Sequence, residues 1–341
     1  MADDSKVAPA RPEWMVHGGR LRAAGAAFPD APRPWGELST GLHPHGWRGL
    51  ADDPDWRAMP EMEALAELEA AAAAHFGTSA DRVCALPGTE IGLRLLGTLD
   101  LPHPVRIVRP GYATHVEAFS GAAVIGADEM EDVAGQGGTV LLANPNNPDG
   151  RLIAPSRLVA LASRLADGGG VLILDEAFAD AVADGGVLPR LPASLGDHVI
   201  VLRSFGKFFG LGGLRLGFAV SSQRWLAPFR QRLGSWPVSA AAISIGTAAY
   251  RDQAWIAATR ARLIEDAARL DALLADHGLV ATGACPLFRL VETKDAALLF
   301  RRLMRHGLLT RPFVDAPRWL RIGLPGDEAA WARLAQALAD G

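Results

Sequence analysis

Cysteine is nearly absent, since the 341 residues contain only Cys84 and Cys285. Neither belongs to a Cys-x-x-Cys pair, which excludes the usual zinc and dithiol redox motifs. The expected setting is therefore the cytoplasm, with reduced thiols. No apolar run approaches the ~18 residues that a membrane helix needs. The start, Met1-Ala2-Asp3-Asp4-Ser5-Lys6, is polar and lacks the apolar centre of a signal peptide. Positive charge is not in surplus either: the net charge is −4, so nothing marks a nucleic-acid or anionic-membrane partner. Low-complexity tracts and internal repeats are missing. His115-Val116-Glu117 matches half of a deaminase zinc signature, but no Pro-Cys-x-x-Cys follows, and no metal is expected.

What is present is ordinary for a globular chain, with 49% apolar and 21% charged residues. The length suits one large domain or a large and a small one. One stretch organises the rest: Ser204-Phe205-Gly206-Lys207-Phe208-Phe209-Gly210-Leu211-Gly212-Gly213-Leu214-Arg215-Leu216-Gly217-Phe218. It follows Val199-Ile200-Val201-Leu202, which reads as a buried strand. A lysine among aromatics and glycines is poorly placed as a solvated ammonium. Burial lowers an amine's pKa and makes it a usable nucleophile of the kind that condenses with carbonyls. The glycines allow close backbone approach to a bulky ligand, and Arg215 can hold an anion. Gly210-x-Gly212 hints at a dinucleotide fingerprint, but Arg215 occupies the third glycine position and that reading fails.

Other chemistry-bearing residues follow strands. The spacing predicts a helix over Pro60 to His75, ended by Gly77. Val83–Leu86 then leads into Pro87-Gly88-Thr89-Glu90 and a helix from Ile91 to Leu99, a strand–turn–helix whose free N–H groups suit an anion. Val105–Val108 leads to Pro110-Gly111-Tyr112, and Tyr112 is one of only two tyrosines. Thr139–Ala143 leads to Asn144-Pro145-Asn146-Asn147-Pro148-Asp149-Gly150, a rigid polar loop. After a helix from Pro155 to Leu165, Gly170–Leu174 delivers Asp175 at a strand's end. Strands alternating with helices predict an α/β fold with a mostly parallel sheet. Past Phe218, helices at Trp225–Arg232, Ala240–Tyr250 and Trp255–His277 precede an α+β block with strands at 287–291, 308–311 and 319–324. The expected organisation is a flexible tail over 1–14, a large domain over 36–235, and a small domain from 15–35 and 236–341.

Ser204-x-x-Lys207 followed by Gly213-Leu214-Arg215-Leu216-Gly217 resembles the cofactor-lysine segment of the fold-type I aminotransferases, which use pyridoxal 5′-phosphate. The order and spacing of the other strand ends resemble that family over roughly residues 35 to 325. The resemblance implies that Lys207 joins the cofactor and then shuttles protons. It implies that Asp175 pairs with the ring nitrogen, that Asn147 binds the 3-oxygen and also meets the substrate, and that Tyr112 stacks on the ring as a third catalytic residue. Gly88, Thr89, Glu90, Ser204 and Arg215 would hold the phosphate, and Arg321, in Leu-Arg-Ile-Gly, the substrate carboxylate. A homodimer is implied as well.

His17-Gly18-Gly19 with Leu38-Ser39-Thr40-Gly41-Leu42-His43-Pro44, and Trp236-Pro237-Val238-Ser239, resemble the branch of that family that decarboxylates threonine phosphate for the linker of cobalamin. This adds His17 and Gly41 to the residues expected to bind a small phosphorylated amino acid. Three positions depart from the pattern. Phe178 stands where aminotransferases have a tyrosine bonded to the 3-oxygen, which argues against simple transamination. No tyrosine occurs near Trp56-Arg57, where the partner subunit's is expected, and Arg20 stands where the branch has Asn. A histidinol-phosphate-type aminotransferase is the runner-up, and a non-catalytic pyridoxal-phosphate-binding protein the reading from another class.

Overall fold

A computed structural model describes residues 13–15, 17–49 and 53–340. Residues 1–12 of the expected tail lie outside the described residues, whereas Glu13–Met15 form a 3-10 turn. The chain divides into two units. One comprises Leu42–Asp266 and Gly283–Leu287, and the other draws on Met1–Gly41, Ala267–Thr282 and Phe288–Gly341.

The first unit is built on a seven-stranded sheet. Its strand order is Val83–Leu86, Gly217–Val220, Val199–Ser204, Val171–Asp175, Thr139–Ala143, Val105–Arg109 and Ala123–Gly126. Gly217–Val220 runs antiparallel to both its neighbours, and the remaining pairs are parallel. Six strands therefore point the same way, and their carboxyl ends share one edge, where open α/β sheets place their sites. The central strands are buried throughout, save Ser204 at the end of Val199–Ser204, as a sheet covered on both faces requires. Ile107, Leu141, Ile173, Ile200, Leu202 and Phe229 belong to one core cluster. Burying each such side chain contributes roughly 1.5–3 kcal/mol.

Helices start and stop where local chemistry directs. Met62–Phe76 begins two residues later than Pro60 because Glu61 is extended at the N-cap (φ −89°, ψ 143°). It ends at Gly77 in the left-handed conformation, with Thr78 N–H returning to Ala73 O at 3.0 Å. The helix expected from Ile91 starts earlier, at Thr89, so Thr89 and Glu90 form its first turn.

The second unit contains an antiparallel sheet in the order Arg311–Pro312, Trp319–Gly323, Phe288–Glu292, Ala281–Thr282, and a separate parallel pair, Gly36–Glu37 with Leu308–Leu309. The amphipathic helix Ala296–Arg305 buries Leu299, Phe300, Leu303 and Met304. Leu21–Ala27 is helical, although its sequence carries Gly25 and no side-chain cap to announce it.

Candidate active site

Within the first unit, nine of the residues singled out above converge on the carboxyl edge of the sheet. Asp175 ends its strand in register with Ala143 on one side and Leu202 on the other. Its carboxylate is buried and accepts from Ala177 N–H at 3.2 Å. It also meets Nε2 of His115 at 2.9 Å. A carboxylate oxygen can only accept, so His115 carries a proton on Nε2. Sequence reasoning considered His115 only as half of a zinc motif. The available signal was its position three residues after Tyr112, one turn along the Ala113–Ala118 helix. Tyr112 and His115 meet edge to face at 5.8 Å.

Tyr112 in turn donates to Glu90 Oε2 at 3.1 Å, and Thr114 Oγ1 donates to Glu90 Oε1 at 3.2 Å. Burial, with the charges of Glu90 and Asp175, pushes the phenol up to about 12. It keeps its proton through the neutral range and fixes the ring plane by donating to Glu90. The Glu90 carboxylate thus holds Tyr112, a contact separate from the backbone role expected of this residue.

Gly88 is the N-cap of the Thr89–Leu96 helix at φ +89°, a conformation open to glycine at little cost. A Cβ there would come within 2.6 Å of Arg215 Nη2. A Cβ on Gly217 would lie 2.8 Å from Thr89 N, and Gly217 pairs in register with Ser204. Gly88, Thr89, Ser204 and the exposed Arg215 guanidinium therefore surround one small space at a helix start. The N–H groups of the helix's first turn, a hydroxyl and a guanidinium fit a phosphate.

Lys207 lies in the short Phe205–Phe208 helix, half-buried, with Nζ 5.3 Å from the centre of the Phe178 ring. Its carbonyl accepts from His43 N–H at 2.9 Å, and Phe209 O accepts from Trp47 N–H at 2.9 Å. This strap packs so tightly that a Cβ on Gly210, at φ +66°, would lie 2.6 Å from His43 O. Asn147 is half-buried in its loop, which Asn146 ties to the Tyr112 segment by donating to Pro110 O at 2.9 Å. A buried carboxylate, an aromatic ring with a fixed phenol, an amide, an amine and an anion cradle together fit pyridoxal phosphate.

His17, Gly41 and Arg321 belong to the second unit. Arg321 is buried, donates to Ser39 O and lies with its guanidinium carbon 4.9 Å from the Phe288 ring centre. Gly41 is buried at φ +65°. His17 is half-buried, and Gly19 N–H, two residues on, donates to Ser39 Oγ at 2.8 Å. Arg311 pairs in register with Arg321 on the adjacent antiparallel strand, which puts two guanidinium stems on one face of the sheet. Like charges placed so are unfavourable alone and suit a ligand with more than one negative group. Sequence reasoning passed over Arg311, whose importance appears only with the strand register.

Replacing His115 with Phe should keep the packing and remove the hydrogen bond to Asp175. Leaving a buried acceptor short of a partner costs about 1–3 kcal/mol. We expect turnover to fall roughly tenfold, equivalent to ~1.4 kcal/mol of barrier, with the cofactor still retained. Steady-state rates on protein of verified cofactor content check this.

Known proteins share this sequence pattern and fold. The family model for aminotransferase class I and II matches residues 42–338. The chain is 39% identical over 330 residues to a threonine-phosphate decarboxylase of Sinorhizobium sp, covering 95% of this chain and 98% of that one. It is 40% identical over 331 residues to the threonine-phosphate decarboxylase of Pseudomonas aeruginosa, covering 95% and 97%. Among solved structures, histidinol-phosphate aminotransferase from Sinorhizobium meliloti in complex with pyridoxal-5′-phosphate superposes with a TM-score of 0.68 at 25% identity, covering 81% of each chain. The chain belongs to the class I and II aminotransferase family, with the fold-type I architecture and its pyridoxal phosphate dependence.

Proposed function

We propose that this protein decarboxylates L-threonine O-3-phosphate to (R)-1-aminopropan-2-yl phosphate, the linker unit of cobalamin's nucleotide loop. The observation that carries the reading is the end-to-end likeness to two threonine-phosphate decarboxylases. The register-paired Arg311 and Arg321 add to it, since the substrate bears both a carboxylate and a phosphate.

When bound, pyridoxal phosphate supplies an aldehyde for the substrate amine and a ring that accepts the electron pair of a breaking bond. The chain's residues do the rest. Asp175, backed by His115, would keep the ring nitrogen protonated, and Tyr112 would pack on the ring. Asn147 would donate to the 3-oxygen, to which Phe178, having no hydroxyl, would add nothing. Gly88, Thr89, Ser204 and Arg215 retain the cofactor phosphate. Arg321 takes the substrate carboxylate with a planar, two-pronged grip that fixes the direction of the Cα–carboxylate bond. Fixing that direction would select this bond, among those at Cα, for cleavage. The carboxylate leaves as CO2, its bonding electron pair stays with the substrate carbon, and Lys207 Nζ delivers a proton to Cα. His17 and Gly41 line the substrate's remaining surface.

The active form is proposed to be a cytoplasmic homodimer. Trp56, Met59, Met62 and Trp236 are 73%, 60%, 61% and 62% exposed, and three of them line an open cleft together with Arg215. Apolar exposure of this kind marks an interface, here suited to a second copy bringing its own surface to the phosphate cradle. Both cysteines are buried thiols outside any disulfide, and burial pushes the Cys84 thiol up to about 12, so neither demands an oxidising compartment.

The test is CO2 release by cofactor-loaded protein given L-threonine O-3-phosphate or L-threonine. Losing charge-assisted bonds to the phosphate should lower kcat/KM for free threonine by about 10–100-fold, at ~1.5–3 kcal/mol for such bonds. Equal efficiency on the two would contradict a site built for a phosphorylated substrate.

A further inference from the structure

We propose that Glu37 is a positioning residue for the substrate-binding segments, acting through Ser39 and Thr40. The inference rests on the reading that Arg321 and the His17 loop bind substrate. Glu37 carries no motif in the sequence, yet its carboxylate gathers four donors. Ser39 N–H donates to Oε1 at 2.7 Å and Thr40 N–H to Oε2 at 3.3 Å, while the Ser39 hydroxyl donates to Oε1 and the Thr40 hydroxyl to Oε2. Two amides and two hydroxyls on one carboxylate leave the turn a single arrangement.

That arrangement extends outward. Because Ser39 Oγ gives its hydrogen to Glu37, its lone pairs are free to accept from Gly19 N–H, at 2.8 Å. The Ser39 carbonyl, whose direction the turn sets, accepts from Arg321 Nη2. Thr40 leads directly to Gly41. One carboxylate thus orients the loop after His17, the turn before Gly41 and one arm of the Arg321 guanidinium. Ser39, at 1% exposure, is the junction.

The backbone course of this segment does not depend on the Glu37 side chain. Gly36 N–H donates to Gly307 O and Leu38 N–H to Leu309 O, both at 2.8 Å, and Gly323 N–H donates to Leu38 O at 2.8 Å. Substituting Glu37 should therefore leave the fold in place. Glu37→Gln keeps one accepting oxygen but turns an NH2 toward donors, so the turn loosens without collapsing.

The experiment compares wild type, Glu37→Gln and Arg321→Lys as cofactor-loaded proteins. It records KM and kcat for L-threonine O-3-phosphate, cofactor absorbance, melting temperature, and amide hydrogen exchange at residues 17–20 and 39–41 without substrate. For Glu37→Gln we expect KM to rise about tenfold, as befits weakened charge-assisted bonding, with kcat within a factor of about three. Exchange at Gly19 and Thr40 should quicken while absorbance and melting stay near wild type. Faster exchange with an unchanged KM would overturn the positioning role, and so would a fall in melting temperature and cofactor content without a KM change. A normal KM in Arg321→Lys would overturn the substrate reading itself and the inference with it.

Discussion

Arg203→Met should destabilise the protein by about 3–5 kcal/mol, because it strands two carboxylates in the interior. Arg203 Nη1 donates to Glu176 Oε2 at 2.9 Å, and Nη2 donates to Asp180. The side chains of all three are 5% exposed or less. His75 Nε2 meets Asp180 Oδ1 at 3.0 Å, and Val187 N–H donates to Glu176 Oε1 at 2.8 Å. The guanidinium carbon also lies 4.6 Å from the Phe76 ring centre. Against a typical folding free energy of ~5–15 kcal/mol, losing the shared cation removes a large fraction. Most of the variant should be recovered as insoluble protein, and what remains soluble should melt well below wild type.

The pH dependence of that loss has a definite sign. Burial raises Glu176 even with Arg203 present. Burial pushes Asp180 the same way, but Arg203 and then His75 outweigh it and hold its carboxyl far below the usual range. Without Arg203, both groups are expected to titrate above their unfolded values. A raised folded-state pKa favours the fold below the unfolded value and costs stability as pH rises. The deficit of Arg203→Met should therefore be smallest at acid pH and largest at neutral pH and above. Adding Glu176→Gln and Asp180→Asn should restore much of the stability. The cluster also matters to the site, since Glu176 follows Asp175 and Arg203 precedes Ser204 in the chain.

Lys207→Ala should lose turnover by at least about three orders of magnitude, combining the loss of the amine that carries the cofactor with that of the proton donor. Its fold should survive. The carbonyl of residue 207 still accepts from His43 N–H, and the stacked Phe205 and Phe209 rings, 4.4 Å apart, remain. Melting near the wild-type temperature with no measurable product, on protein given excess cofactor, is the expected result. Turnover within tenfold of wild type would remove Lys207 from the chemistry.

Much of this site could be read in the sequence because its groups sit at strand ends, where apolar runs announce the strand and a lone polar residue stands out. Asp175 after Val171–Leu174 and Lys207 after Val199–Ser204 are of this kind. His115 was missed because it reaches Asp175 from a helix and the two are 60 residues apart. Glu37 was missed because its role lies in a turn it caps itself, which no periodicity marks. Gly217–Val220 was not anticipated as a strand because alternation of strand and helix leaves no place for an antiparallel member. The strand Ala123–Gly126 escaped notice because it sits at the sheet edge with Ala123 and Val124 exposed, so it lacks a buried strand's continuous apolar run. Arg311 acquires meaning only through its register with Arg321.

The most direct test of the central claim is to follow which bond at Cα breaks. L-threonine O-3-phosphate labelled with carbon-13 in the carboxylate, turned over in D2O and followed by NMR, shows this. The account predicts that the label leaves as CO2, and that the amine product keeps its original Cα hydrogen and gains one deuteron there. Label retained in a keto acid, with the Cα hydrogen lost, would contradict it and make the protein an aminotransferase in activity as well as in fold.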